Sequence, residues 1–248
     1  MKILLAPSET KLSGGTEAFD PCSLLFESLC PARLKLLHSY TNILQRGDST
    51  ELQTMFGLKK PDDIAYHASK DLIHESTMKA IQRYTGVAFD HLDYKTLDTD
   101  AKAYLDEHLL IFSNLFGVFG AGDMIPEYRL QQNKSIGDTK PDQFYRPLLK
   151  PLLDSYLTDK EILDIRAGFY DKYYKPTQPY TTLKFTKGGK VVSHWAKAYR
   201  GIVLREIAKA GIDSLEAFLA LPIKGLSIEE IQTQGVRTEI IYAIEEAS

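Results

Sequence analysis

Three short apolar runs constrain the fold of this chain more than any other feature. Residues 2–6, 105–119 and 162–166 are apolar enough to lie inside a sheet, and helical periodicity fills most of the sequence between them. Buried strands separated by amphipathic helices pack in layers around a shared core. The expected fold is a single α/β domain over residues 1–248, with a central mixed sheet surrounded by helices.

Composition supports this reading and removes several classes. A chain of 248 residues can form one large domain or two small ones, and neither an internal repeat nor a low-complexity linker divides it. An apolar share of 44%, with 14 Tyr and 11 Phe, supplies a sizeable core and argues against disorder. The initial apolar run is too short for a signal peptide, and the stretch at 109–122 is broken by Ser113, Asn114 and several glycines. No membrane-spanning helix and no membrane partner are therefore expected. Cys22 and Cys30 stand eight residues apart, which is neither a redox CxxC nor a disulfide framework. They read as buried or idle thiols of a cytoplasmic protein.

The first strand ends at Pro7, and the polar stretch 8–16 forms a loop at its C-terminal end, where α/β sheets commonly hold ligands. Helical patterns are expected over 24–45, 51–56 and 62–84, a strand-like patch at 86–89, and a loop over 123–140. A helix at 142–157 is interrupted by Pro147 and Pro151. Alternation around Gly188-Gly189 predicts a hairpin of 182–187 with 190–194, and a helix from Trp195 to Ala210 ends at Gly211.

Charge is unevenly spread. Between Arg166 and Gly211 ten basic residues face only Asp171 and Glu206, although the whole chain carries −3. Aromatic residues, among them Tyr170, Tyr173, Tyr174, Trp195 and Tyr199, are interleaved. Such segregation suits a groove for a phosphate-bearing ligand, and equally a lysine-rich exposed hairpin with ordinary core aromatics. Lys197 and Arg200, three apart in the expected first turn of a helix, share a face where backbone N–H groups also attract anions.

Two segments have the flavour of a helix-hairpin-helix, one around Gly57 with Lys59 and Lys60, the other around Gly225 between expected helices at 219–231. His67, Asp71 and His74 fall on one helical face, but a third firm metal ligand is missing, so no metal is assigned. Neither a phosphate-binding glycine loop, a dinucleotide fingerprint nor a nucleophile elbow occurs. No cofactor is assigned, and the residues alone identify no reaction.

Several motifs, in order along nearly the whole chain, resemble the YaaA family of peroxide stress proteins. They are Leu4-Leu5-Ala6-Pro7-Ser8-Glu9-Thr10-Lys11-Leu12-Ser13-Gly14-Gly15, Tyr84-Thr85-Gly86-Val87, and Phe112-Ser113-Asn114-Leu115-Phe116-Gly117-Val118. Met124-Ile125-Pro126-Glu127-Tyr128-Arg129-Leu130, Asp164-Ile165-Arg166-Ala167-Gly168-Phe169-Tyr170 and Ser193-His194-Trp195-Ala196-Lys197-Ala198-Tyr199-Arg200-Gly201 follow. The chain departs from the pattern at Gly120-Ala121, where a basic-proline pair is common, and in the first loop, where Glu9 accompanies Lys11.

The resemblance implies a cantaloupe-like α/β fold with a helix-hairpin-helix and a positively charged cleft. It also implies a cytoplasmic role against hydrogen peroxide, restraint of reactive iron, and binding to double-stranded or distorted DNA. On that basis Lys11, Arg129, Arg166, Lys197 and Arg200 are expected to contact phosphates, with Tyr84 and Tyr128 stacking on an exposed base or sugar. The competing expectation is an enzyme acting on a nucleotide or other small phosphorylated ligand in the same pocket. Glu9, Asp123 and Glu127 would then supply acid–base chemistry, or else orient the cleft arginines.

Overall fold

The computed structural model describes residues 1–245, and the chain begins in the middle of its main sheet. β1 (Lys2–Leu5) precedes a long loop, the short β2 (Glu17–Ala18), and helices α1 (Cys30–Arg46), α2 (Ser49–Phe56) and α3 (Pro61–Ala68). Then come β3 (Ser76–Lys79), α4 (Ala80–Arg83), α5 (Val87–Leu92) and α6 (Thr99–His108). β4 (Leu109–Ser113), β5 (Gly117–Gly120), β6 (Met124–Pro126) and α7 (Pro141–Leu157) follow. The last part holds β7 (Ile162–Asp164), β8 (Tyr180–Lys187), β9 (Lys190–Val191), α8 (Ser193–Ala210), α9 (Leu215–Ala220), β10 (Leu226–Gln234) and β11 (Arg237–Ile244).

The main sheet has eight strands in the order β10-β11-β8-β7-β1-β4-β5, with β9 paired to β8. β1 runs parallel to both neighbours, Ile3 lying opposite Leu109 on one side and Leu163 on the other. β7, β8 and β11 continue the parallel arrangement, while β5, β9 and β10 are antiparallel additions. Ile3, Leu4, Ile111, Phe112, Ile162 and Leu163 are buried, as expected of strands covered on both faces. α8 packs against α5, α6 and β8, and a separate three-stranded sheet, β2-β3-β6, flanks the body. The expected single α/β domain with a mixed sheet is the observed one.

Several local expectations are corrected. The helical pattern at 62–84 splits into α3, β3 and α4, because residues 76–79 pair with β6 through Thr77↔Pro126, Met78↔Ile125 and Lys79↔Met124. The strand-like patch at 86–89 opens α5, and the loop at 123–140 contains β6. Pro147 and Pro151 leave α7 unbroken, since they lie four apart on its exposed face while Tyr145, Leu149, Leu153 and Leu157 anchor the buried one. The segment around Gly225 leads into β10, a strand, so no helix follows it. Around Gly57 two helices, α2 and α3, do flank the turn.

Cys22 and Cys30 are also not idle thiols: they are joined as a disulfide, with Cα atoms 4.7 Å apart. Arg33, fully buried on α1, helps hold the loop between them: its guanidinium donates to the carbonyls of Leu24 (3.2 Å), Leu25 (2.6 Å) and Phe26 (3.3 Å). Those bonds fold the 20–29 loop back over the start of α1.

Candidate functional site

β1 and β7 are adjacent parallel strands whose outgoing connections leave in opposite directions, β1 toward β4 and β7 toward β8. At such a switch point the loops part and leave a crevice beyond the strand ends. Here the crevice is a cavity of about 330 Å³, walled by Leu5 at the end of β1 and residues 6–10 after it, by Ile165, Ala167 and Tyr170 after β7, and by Lys197 and Arg200 of α8. Gly86, the α5 residues Val87, Ala88 and Phe89, and Gln132 complete it. A wider groove of about 540 Å³ adjoins it and shares Ala167, Lys197 and Arg200. Its far wall carries Lys184, Arg237 and Glu239.

Two glycines make this geometry possible. Gly86 has φ +101°, a backbone conformation that strains any residue with a side chain, and a Cβ there would press on the Ser8 hydroxyl 3.0 Å away where the turn before α5 meets the β1 loop. Gly201 lets α8 lie directly on α5: a Cβ would collide with the carbonyl of Ala88. Both belong to the motif segments quoted from the sequence.

Lys197 is exposed and Arg200 half-buried, and neither forms an ion pair or hydrogen bond among the described residues. The Arg200 Nε is buried without a partner, and burial lowers the guanidinium's pKa. α8 begins at Ser193, two residues earlier than the sequence suggests, so these cations sit beyond the first turn. The helix-end field therefore contributes less to the site than expected. Their shared face remains, and it is the face that lines both hollows.

The other expected cations are internal. Arg166 is bonded to Asp164 at 2.8 and 2.6 Å, and it donates to the carbonyls of Tyr170 (3.2 Å) and Tyr174 (2.9 Å). Its side chain is 1% exposed, so it holds the 168–174 segment at the groove wall and has little reach toward a phosphate. Arg129 binds the Glu9 carboxylate at 3.2 Å and the Phe56 carbonyl at 3.0 Å. Glu9 also accepts from the Gln132 N–H at 3.2 Å, and its side chain lines the cavity.

Lys11 lies behind the same loop. Its ammonium donates to the carbonyls of Ser8 (3.2 Å) and Glu9 (3.4 Å) and rests 3.9 Å from the Tyr128 ring and 5.0 Å from the Tyr84 ring. Burial and the Arg129 charge push its pKa down to about 7, against the opposing pull of Glu9 and Glu127. Tyr84 and Tyr128 are each 3% exposed and share a 2.7 Å hydroxyl contact, which Ser113 extends at 2.7 Å. Burial drives the Tyr128 hydroxyl up to about 12. Neither ring is accessible for stacking on a base; both form the aromatic floor under Lys11.

Of the three candidate acids only Glu9 faces the cavity. The Asp123 carboxylate accepts from the N–H groups of Leu25 (2.7 Å) and Gly120 (2.9 Å), although burial raises its pKa. Glu127, 4% exposed, accepts from the Tyr66 hydroxyl at 2.8 Å and pairs with Lys70 at 3.2 Å. The sequence reading missed Arg33 and Arg83, both fully buried, the latter donating to Leu12, Ser76 and Ile125 carbonyls. A signal existed for Arg33, which falls in register with Leu36, Leu37 and Tyr40 on the apolar stripe of α1. No group of residues with metal-ligand geometry occurs among the described residues, and no described helix is long and apolar enough to cross a membrane.

Comparison with known proteins agrees with the motif order. The family described as peroxide stress protein YaaA matches residues 1–232. A protein of Campylobacter jejuni, itself described as uncharacterised, is 41% identical over 98% of this chain and 99% of its own length. A UPF0246 protein of Corynebacterium glutamicum is 32% identical over 93% of this chain and 95% of its own. Another, from Fusobacterium nucleatum, is 26% identical over 93% and 94%. With the match running across the strand-end loops and α8 alike, the chain belongs to the peroxide stress protein YaaA family.

Proposed function

We propose that this protein, in the peroxide-stress role its family membership supports, binds DNA without sequence preference through the hollows that share Lys197 and Arg200. The observation that carries the reading is this pair of cations, which have no carboxylate partner among the described residues and line both hollows. A half-buried guanidinium with no carboxylate in contact, and only Asp164 near enough to offset its charge in part, is costly, and a ligand phosphate would relieve that cost. The inner cavity, about 330 Å³, is of small-ligand size and cannot hold the body of a duplex. The bound form is therefore DNA with one displaced or unpaired nucleotide, its neighbouring phosphates following the outer groove past Lys184 and Arg237.

The α2–α3 turn adds an outer contact of helix-hairpin-helix type. Its Gly57 lies over Gln131, next to the cavity residue Gln132, and Lys59 and Lys60 beside it are exposed. Lys11, Arg129 and Arg166 act by holding the loops in place, as do Tyr84 and Tyr128. Shielding bound strands from iron-driven oxidation belongs to the same reading, with the cytoplasm as the compartment. Fluorescence anisotropy with a flush duplex and with the same duplex carrying a one-nucleotide bulge tests it. Tighter binding of the bulged form is expected, weakening steeply with salt. Equal affinity for the two would remove the displaced nucleotide from the account.

Glu9 favours a second reading. Its carboxylate, held by Arg129, is the one candidate acid at the cavity, where it could act as a general base on a free phosphorylated ligand. Saturable calorimetric binding of a nucleoside monophosphate, without retention of either duplex, would favour that reading over the first.

A further inference from the structure

Cys22 and Cys30 lie outside the cleft, on a loop tied down by hydrogen bonds that do not involve their sulfurs. The Cys22 N–H donates to the Asp20 carboxylate at 2.8 Å, the Ser23 hydroxyl donates to the Asp20 carbonyl at 2.8 Å, and the Leu25 N–H donates to Asp123 at 2.7 Å. Arg33 binds the Leu24, Leu25 and Phe26 carbonyls from below. These bonds fix the 20–29 loop, and the resulting Cα separation of 4.7 Å is within the range a disulfide spans. Both residues are half-buried, so a small oxidant can reach them. Arg33 puts a positive charge one helical turn from Cys30, under the loop. A cation so placed favours a thiolate.

We infer that Cys22 and Cys30 form a peroxide-reactive dithiol, a modification site that hydrogen peroxide converts into the intramolecular disulfide present in the structure. The Cys30 thiolate attacks one peroxide oxygen, the O–O bond breaks, and hydroxide leaves, taking a proton to become water. The sulfenic acid so formed is attacked by the Cys22 sulfur, its S–O bond breaks, and a second water departs with the Cys22 proton. Two thiols lose two electrons, and one peroxide is reduced to two waters. In the cytoplasm a disulfide of this kind is transient, opened again by thiol exchange. The inference is independent of the cleft reading, and its test involves no DNA.

The test uses the full-length protein, reduced with dithiothreitol, desalted, and exposed to hydrogen peroxide. Titratable thiols are expected to fall from two to none, the intact mass to drop by two hydrogens, and peptide mapping to link Cys22 with Cys30. Dithiothreitol should restore both thiols in the folded protein. In Cys22→Ser the sulfenic acid should persist on Cys30 and be captured by dimedone. Cys30→Ser should react roughly tenfold more slowly than Cys22→Ser. Thiols that survive peroxide, oxygen added without a cross-link, a cross-link only between chains, or a disulfide that native protein cannot open would each overturn the inference.

Discussion

Lys11 shows how little a residue type alone says about its task. The sequence places a lysine beside an expected phosphate site, whereas in the fold its ammonium is closed in by two tyrosine rings and two carbonyls. Its pKa falls to about 7, below the value near 10.5 that the unfolded chain provides. Between those values the unfolded state binds more protons than the folded one, so stability rises with pH through that window. Below pH 7 both states are protonated and the full cost of the buried charge is present. Lys11→Met should therefore stabilise the protein at pH 6–7, with the advantage shrinking toward pH 9 by up to about 1.4 kcal/mol per pH unit. Urea unfolding of both proteins across that range measures it, and a pH-independent difference would show that the ammonium is not enclosed. The Asp164–Arg166 pair behaves differently because both partners are buried and bonded twice. Asp164→Ala leaves a buried guanidinium with only the half-exposed Asp171 at 3.8 Å as counter-charge and is expected to cost about 3 kcal/mol in the same measurement. A cost below about 1 kcal/mol, typical of surface pairs, would contradict that placement.

At the scale of elements, the contact of α5 with α8 governs the cavity wall. Gly201→Ala drives a methyl into the Ala88 carbonyl, and α5 carries the wall residues Val87, Ala88 and Phe89. We expect a loss of about 1–3 kcal/mol in stability together with weaker ligand binding, and unchanged thermal unfolding would refute the tight contact. The Cys22–Cys30 bond closes a short loop, so its reduction should cost roughly 2 kcal/mol. Calorimetry should then show the melting temperature lower by about 5 °C in dithiothreitol. Much of this element scale is legible in the sequence, because β1, β7 and the helix ending at Gly211 depend on local runs, periodicity and a left-handed cap. What is not legible depends on distant partners. Residues 76–79 form a strand by pairing with β2 and β6, and Val87-Ala88-Phe89 lie in a helix packed against α8 at Gly201. The site divides in the same way: its loops carry recognisable motifs, but whether Tyr84, Tyr128 or Arg166 faces ligand or core is a matter of burial, which a motif does not encode. The disulfide was hidden because eight residues of separation say nothing about a loop that Arg33 folds back.

For the whole molecule, the sheet order determines where chemistry can happen. Connections diverging at β1 and β7 leave a crevice at the C-terminal ends of these parallel strands, and α8 crosses it with two cations that have no ion-pair partner among the described residues. With a net charge of −3, the proposed DNA binding would have to come from this local face, so it should respond to salt as a few phosphate contacts and not as a general polycation. The most direct measurement is the salt dependence of affinity for bulged DNA, comparing the natural chain with the double variant Lys197→Ala and Arg200→Ala by fluorescence anisotropy. The account predicts weaker binding at every salt concentration and a log–log slope smaller by about 2, one unit for each lost phosphate contact. An unchanged affinity and slope in a folded double variant would contradict it.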